Sequence, residues 1–277
     1  MDHEGAVLWR TLGICFAVIG VCELAWPAYR LRKPLERRWG VHVVLFALGN
    51  VLVLATVPLS GVAVALAVEH SRFGLFNQSV LPFWMRCAAG ILVLDLARYG
   101  THRLMHTTPW LWRIHLLHHT DTEIDLTTGL RFHPLEAWVA GIVGLGVIAA
   151  TAIPPAGVFL FEMMVQFQAV AAHANSSLPP RLERICRPFF ITPDLHRIHH
   201  SIKEADQGRN LGVLFPWWDR WFATYRDVTV VESKAMNFGL ADFPATKALH
   251  LPYLLATPFV KLPSPDGAVP EPVSRRA

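Results

Sequence analysis

The chain has 277 residues, 53% of them hydrophobic and 17% charged, and its mean hydropathy is positive. A soluble domain of this length would bury a core behind a more polar surface, so the balance points instead to a membrane protein. The formal net charge of +4 is modest and mostly local: Arg30, Arg32, Lys33, Arg37 and Arg38 sit in one short loop, opposed only by Glu36. Without interleaved aromatics on a soluble face this reads as a membrane-flanking basic loop, and no nucleic-acid partner is expected. Cys15, Cys22, Cys87 and Cys186 are scattered, so neither a C-x-x-C site nor a disulfide framework is expected.

In chain order, "MDHEG" lacks the basic region of a cleaved signal peptide and is expected to be retained. A first span runs from Leu8 to Trp26 and stops at Pro27. No Asp, Glu, Lys or Arg occurs from Val41 to Val68. That run is too long for one crossing of about 20 residues, and Pro58 and Gly61 are expected to break it into a span and a shorter return segment. A third span ends near Asp95, through "AAGILVLDLARYG". From Ala137 to Phe161 the chain is again uncharged, and "IPP" at 153–155 makes a tight hairpin that continues to about Ala172. Residues 181–226, rich in Arg, Asp and aromatics, read as a cap of short helices. The tail from about Pro263 is Pro-rich and reads as disordered.

The expected fold is therefore all-α: a bundle of about four to five transmembrane helices, with residues 1–262 as a single domain and a helical cap at one end. If the basic loop is cytoplasmic, alternation of the spans brings every histidine cluster to the cytoplasmic face.

Those clusters carry the chemistry. "HLLHH" at 115–119 and "HRIHH" at 196–200 share the spacing H-x-x-H-H, and His102 and His106 precede the first at i, i+4. With 14 histidines in the chain, about 0.03 chance matches to that spacing are expected. On a helix each set shares one face and can aim at one point. His173, at the end of the hairpin, completes a set of nine with His102, His106, His115, His118, His119, His196, His199 and His200. Imidazole suits Zn, Cu, Fe and Ni, and nine ligands exceed what one ion holds, so a mainly histidine-ligated pair of ions is expected. Asp95 and Tyr99, on the face of His102, and Asp194, near His196, are candidates to accept a ring N–H and fix a tautomer. His133 is a further ligand, a hydrogen-bond partner in the site, or a helix-start residue before Pro134. His3, His42, His70 and His250 stand alone and read as surface or interface residues. Trp217, Trp218 and Trp221 read as packing or interfacial anchors rather than a substrate box.

These residues resemble the fatty acid hydroxylase and sterol desaturase superfamily of integral-membrane di-iron oxygenases. The similarity covers about residues 90–226, through "DLARYGTHRLMH", "LWRIHLLHHTDTEIDLTTGLRFHPLE", "AHANSS", "TPDLHRIHHS" and "NLGVLFPWWDRWFATY". The resemblance implies that the nine histidines hold two non-haem irons. It also implies that O2 and two electrons are used to hydroxylate or desaturate an unactivated C–H bond of a membrane lipid. Some members have a further His or Asn near Asn175 or Ser177. No His-Pro-Gly-Gly haem motif or Cys-rich cluster is present. A separate electron-donor protein of ferredoxin or cytochrome b5 type is therefore expected, docking on the Arg-rich cytoplasmic face. Hydroxylation is favoured over desaturation, which needs two correctly placed hydrogens rather than one. A narrow apolar channel between the spans is expected to admit one acyl, sterol or isoprenoid chain. The rivals are a membrane zinc hydrolase, whose usual H-E-x-x-H motif is absent, and a metal-binding protein without turnover.

Overall fold

The computed structural model describes residues 3–31, 35–57 and 59–260; Arg32, Lys33, Pro58 and the tail from Pro263 lie outside them. No strand occurs among the described residues. The long helices are α1 (His3–Ala25), α2 (Leu35–Thr56), α4 (Phe83–Thr107), α6 (Pro134–Thr151) and α7 (Pro155–Ala172), with α3 (Gly61–Val68) between α2 and α4 and α5 (Pro109–His119) after α4. Four segments are long and apolar enough to cross a membrane: α1, the α2–α3 run, α6 and α7. Their outward side chains fit lipid rather than water, Leu24 being 83% and Leu54 67% exposed.

Local sequence sets the ends of these helices. Ser60 accepts the backbone N–H of Ala63 and starts α3, while Pro109, Pro134 and Pro155 occupy first-turn positions where a missing N–H costs nothing. The expected hairpin forms as α6 and α7, with Ala152 in the left-handed region (φ 53°) closing α6. Ala65, Leu94, Ile148, Val158 and Phe161 pack α3, α4, α6 and α7 into one core. Close approach there needs small residues: a Cβ at Gly90 would lie 2.4 Å from Ile153 Cγ2.

Three expectations change. The third expected span does not end near Asp95: its helix, α4, continues to Thr107 and is not among the four segments apolar enough to cross a membrane. Asp95 is fully buried and accepts from the backbone N–H groups of Leu214 (3.0 Å) and Phe215 (3.3 Å) and from Trp218 Nε1 (2.8 Å), so its charge is satisfied without breaking the helix. The basic stretch is not uniformly a surface loop either, since α2 begins at Leu35 and buries Arg38 completely. Arg38 pairs with Asp121 at 2.9 Å and with Asp125. His42, expected at the surface, is also fully buried, with Nδ1 2.8 Å from Thr127 Oγ1. Both carboxylates come from "TDTEID", just past the second histidine motif, so the network ties α2 to the segment that follows α5.

The cap comprises α8 (Pro180–Cys186), α9 (Pro193–His199), α10 (Glu204–Gln207), α11 (Trp217–Trp221), α12 (Val230–Ala235) and α13 (Leu251–Ala256). It covers the end of the bundle where α4 and α7 finish and α6 begins. Within it Trp218 is buried, and Trp217 stacks on Phe215 with ring centroids 4.5 Å apart.

Candidate metal centre

Three helix ends meet α9 of the cap, and each of the four brings histidine. The last turns of α4 carry His102 and His106, and α5 carries His115, His118 and His119. His173 caps α7, and α9 supplies His196 and His199 with His200 at its C-cap. Their nitrogens gather into two groups, in each of which the ligand atoms lie within 4.8 Å of one another: His102, His106, His115, His119 and His199 in one, His118, His173, His196 and His200 in the other. All nine residues expected from the sequence are present in the two groups.

The hydrogen bonds decide which ring atom faces inward. Nδ1–H donates to a backbone carbonyl in His102 (Leu211, 2.8 Å), His118 (Arg131, 3.1 Å), His173 (Ala169, 2.7 Å) and His199 (Arg209, 3.0 Å), and to Glu136 Oε1 in His115 (2.7 Å). A carbonyl only accepts, so the proton sits on Nδ1 and the Nε2 lone pair is left to point inward. Burial first, and neighbouring imidazole charge second, holds His115, His118, His119, His196, His199 and His200 well below the ordinary histidine range, hence neutral.

In the pairs His173–His118 and His115–His102 both rings carry the proton on Nδ1, so these face each other with lone pairs. Nε2 of His173 lies 3.1 Å from that of His118, 2.9 Å from that of His196 and 3.2 Å from that of His200. In the other group, Nε2 of His115 lies 3.2 Å from those of His102 and His119. Nitrogens held about 2.1 Å from one ion and at right angles to each other stand about 3.0 Å apart. Opposed lone pairs at this separation repel unless a cation lies between them. The donor set therefore fits metal ions, one per group.

None of Asp95, Tyr99 and Asp194 holds a ring. Asp95 instead pins the loop at Leu214–Trp218, and the Tyr99 hydroxyl lies 3.0 Å from Thr224 Oγ1. Asp194 accepts from Arg197 and from the hydroxyls of Ser177 (3.2 Å) and Ser233 (2.8 Å). His133 is the helix-start residue: its Nδ1 accepts the Leu135 N–H at 3.1 Å, and it belongs to neither metal group. Asn175 is not among the grouped residues either; it holds the backbone of Tyr29. The residue the sequence reading missed is Glu136, in the first turn of α6. An acid just inside a proline-started helix, in "HPLE", was the available signal. The closing "WWDRW" segment also has a role here. Asp219 accepts the N–H groups of Leu211 and Gly212, each at 2.8 Å, and so fixes the Leu211 carbonyl that orients His102.

A cavity of about 190 Å³ opens beside both groups, lined by His102, His115, His118 and His173 on one side and by Met105 and Val165 on the other. Residues 87–224, which hold every one of these histidines, match the fatty acid hydroxylase family.

The chain belongs to that family.

Among curated proteins it is 29% identical over 209 residues to an ornithine lipid hydroxylase of Rhizobium tropici, covering 70% of this chain and 61% of that one. It is 28% identical over 172 residues to the human alkylglycerol monooxygenase, covering 61% of this chain and 36% of the human protein. It thus spans less than two thirds of either relative. With a very-long-chain aldehyde decarbonylase of Oryza sativa it is 28% identical over 253 residues, 85% of this chain and 96% of the relative. No solved structure matches it. Family and histidine groups together point to metal use in a membrane setting.

Proposed function

We propose that this chain is an O2-dependent di-iron membrane oxygenase that hydroxylates an unactivated C–H bond of a lipid. The observation that carries the reading is the convergence of nine neutral imidazoles on two adjacent centres beside a cavity. Residues 1–262 act as one domain, and His102, His106, His115, His118, His119, His173, His196, His199 and His200 are the ligands. Bound there, a pair of irons would supply the two-electron activation of O2 that insertion into a C–H bond requires. The chain's own contribution is to orient and seal. The carbonyls of Leu211, Arg131, Ala169 and Arg209, with Glu136, hold the rings at fixed tautomers. The cap keeps seven of the nine histidines out of water, and the apolar cavity wall orients a substrate chain.

The histidines face the cytoplasm in this reading, where a separate ferredoxin or cytochrome b5 type protein delivers electrons. The relatives named hydroxylase and monooxygenase support hydroxylation. Conversion of a long-chain aldehyde is the second reading, favoured by the nearly full-length match to the rice decarbonylase.

Detergent-purified protein loaded with iron should consume O2 only when both a reductant and a lipid are supplied, and the lipid should gain one oxygen atom. Turnover confined to aldehydes would select the second reading. A tightly held single zinc with no O2 uptake under any reductant would overturn both.

A further inference from the structure

A second cavity, of about 220 Å³, adjoins the one beside the histidines, and Arg98, Thr101 and Ala140 line both. The inner chamber passes between α3, α4, α6 and α7 along Leu94, Ile148, Val158 and Phe161. Its charged side chains are Arg98 and Glu162. The result is an apolar passage with a polar waist one helical turn from the metal centre.

A cation inside a lipid-embedded bundle is costly and marks a functional position by default. Arg98 has five N–H donors to satisfy. Among the described residues it makes no hydrogen bond or salt bridge; the acids Glu162, Glu136 and Asp95 act on it through space. Two of those acids hold other donors: Glu136 holds His115, and Asp95 holds the Leu214–Trp218 loop. Arg98 therefore faces the cavities with donors to spare. Glu136 lines the outer cavity and Glu162 the inner one, so an uncharged oxygen acceptor fits this position better than a carboxylate or phosphate, which would stand beside both acids.

We propose that Arg98 selects the substrate: it hydrogen-bonds an uncharged oxygen of the lipid (hydroxyl, ether, ester or amide) at the waist, with the tail in the inner chamber and the carbon to be oxidised in the outer one. The proposal rests on the oxygenase reading for its chemistry but not for its test. Arg98 and His102 are four residues apart on α4, about 6 Å along the helix axis. The oxidised carbon accordingly lies within a few bonds of that oxygen, not far out along the tail. A plain hydrocarbon leaves the Arg98 donors unmet and binds weakly.

Binding without turnover tests this. The metal-loaded full chain in detergent is titrated with three radiolabelled sixteen-carbon probes: hexadecane, 1-O-hexadecylglycerol and palmitate. The wild type should prefer the glycerol ether over both others by roughly 10- to 100-fold, the worth of a hydrogen bond to a charged donor. Arg98→Leu should bring the ether down to the level of hexadecane, and Arg98→Lys should keep part of the preference. If Arg98→Leu cannot be purified with its metal, Arg98→Gln, which keeps donors but loses the charge, should show an intermediate loss. An undiminished preference in the variants overturns the proposal, as does tightest binding of palmitate by the wild type. A protein that never consumes O2 yet shows the Arg98-dependent preference would sink the oxygenase reading and leave this one standing. Where turnover is obtained, mass spectrometry of the product should find the new hydroxyl near the ether oxygen; a hydroxyl at the far end of the chain contradicts the proposal.

Discussion

The two histidine groups share helices but are held differently. The group of five draws two rings from α4, two from α5 and one from α9, and three of its members have a fixed Nδ1–H partner. The group of four takes one ring from α5, one from α7 and two from the end of α9, with two partnered members. His102 and His106, on the α4 side, are only partly buried, whereas every member of the group of four is buried. Removing one ligand leaves four donors in the first group and three in the second. The group of five should tolerate a loss that the group of four does not, and the more exposed α4 side is where the larger group can be approached.

The sharpest way to break this comparison is His118→Ala. It should abolish turnover and lower bound metal from two ions to about one per chain, while the protein stays folded and inserted; retained activity would remove His118 from the ligand set. Gly129→Val attacks the same group indirectly. A Cβ at Gly129 would stand 2.1 Å from the Ala169 carbonyl oxygen, the atom that orients His173. Metal analysis should find the group of four depleted and the group of five filled, and equal loss from both would show that they are not independent. Glu136→Leu acts on the other side by freeing the His115 N–H. Loss of such an outer partner costs roughly 10- to 100-fold in metal affinity or activity, read by chelator competition. His133→Ala should be the mildest. It removes a helix cap worth about 1 kcal/mol, measured by thermal denaturation, with metal content unchanged; a lost ion would restore His133 as a ligand.

The histidine groups were legible from the sequence because helical spacing carries geometry directly: i, i+3 and i+4 put imidazoles on one face whatever surrounds them. His173 had no such pattern and was read from its place at the end of the α6–α7 hairpin. Their partners were harder to see, because carbonyls such as Leu211 and Arg209 carry no side-chain signature, and because Asp95, two turns before His102, and Asp194, two residues before His196, aim elsewhere. Arg38 and His42 were misread for the same reason. Their burial depends on Asp121 and Asp125, more than eighty residues away, and charge counted within one loop cannot register a distant carboxylate. The long helix α4 was cut short because a charge inside an apolar run looks like an end until the cap loop that satisfies it is known.

X-ray diffraction at the iron edge from crystals of the iron-loaded protein bears most directly on the central claim. Two neighbouring anomalous peaks are expected, one ringed by His102, His106, His115, His119 and His199 and the other by His118, His173, His196 and His200. A single peak, or iron seated away from these rings, would contradict the account.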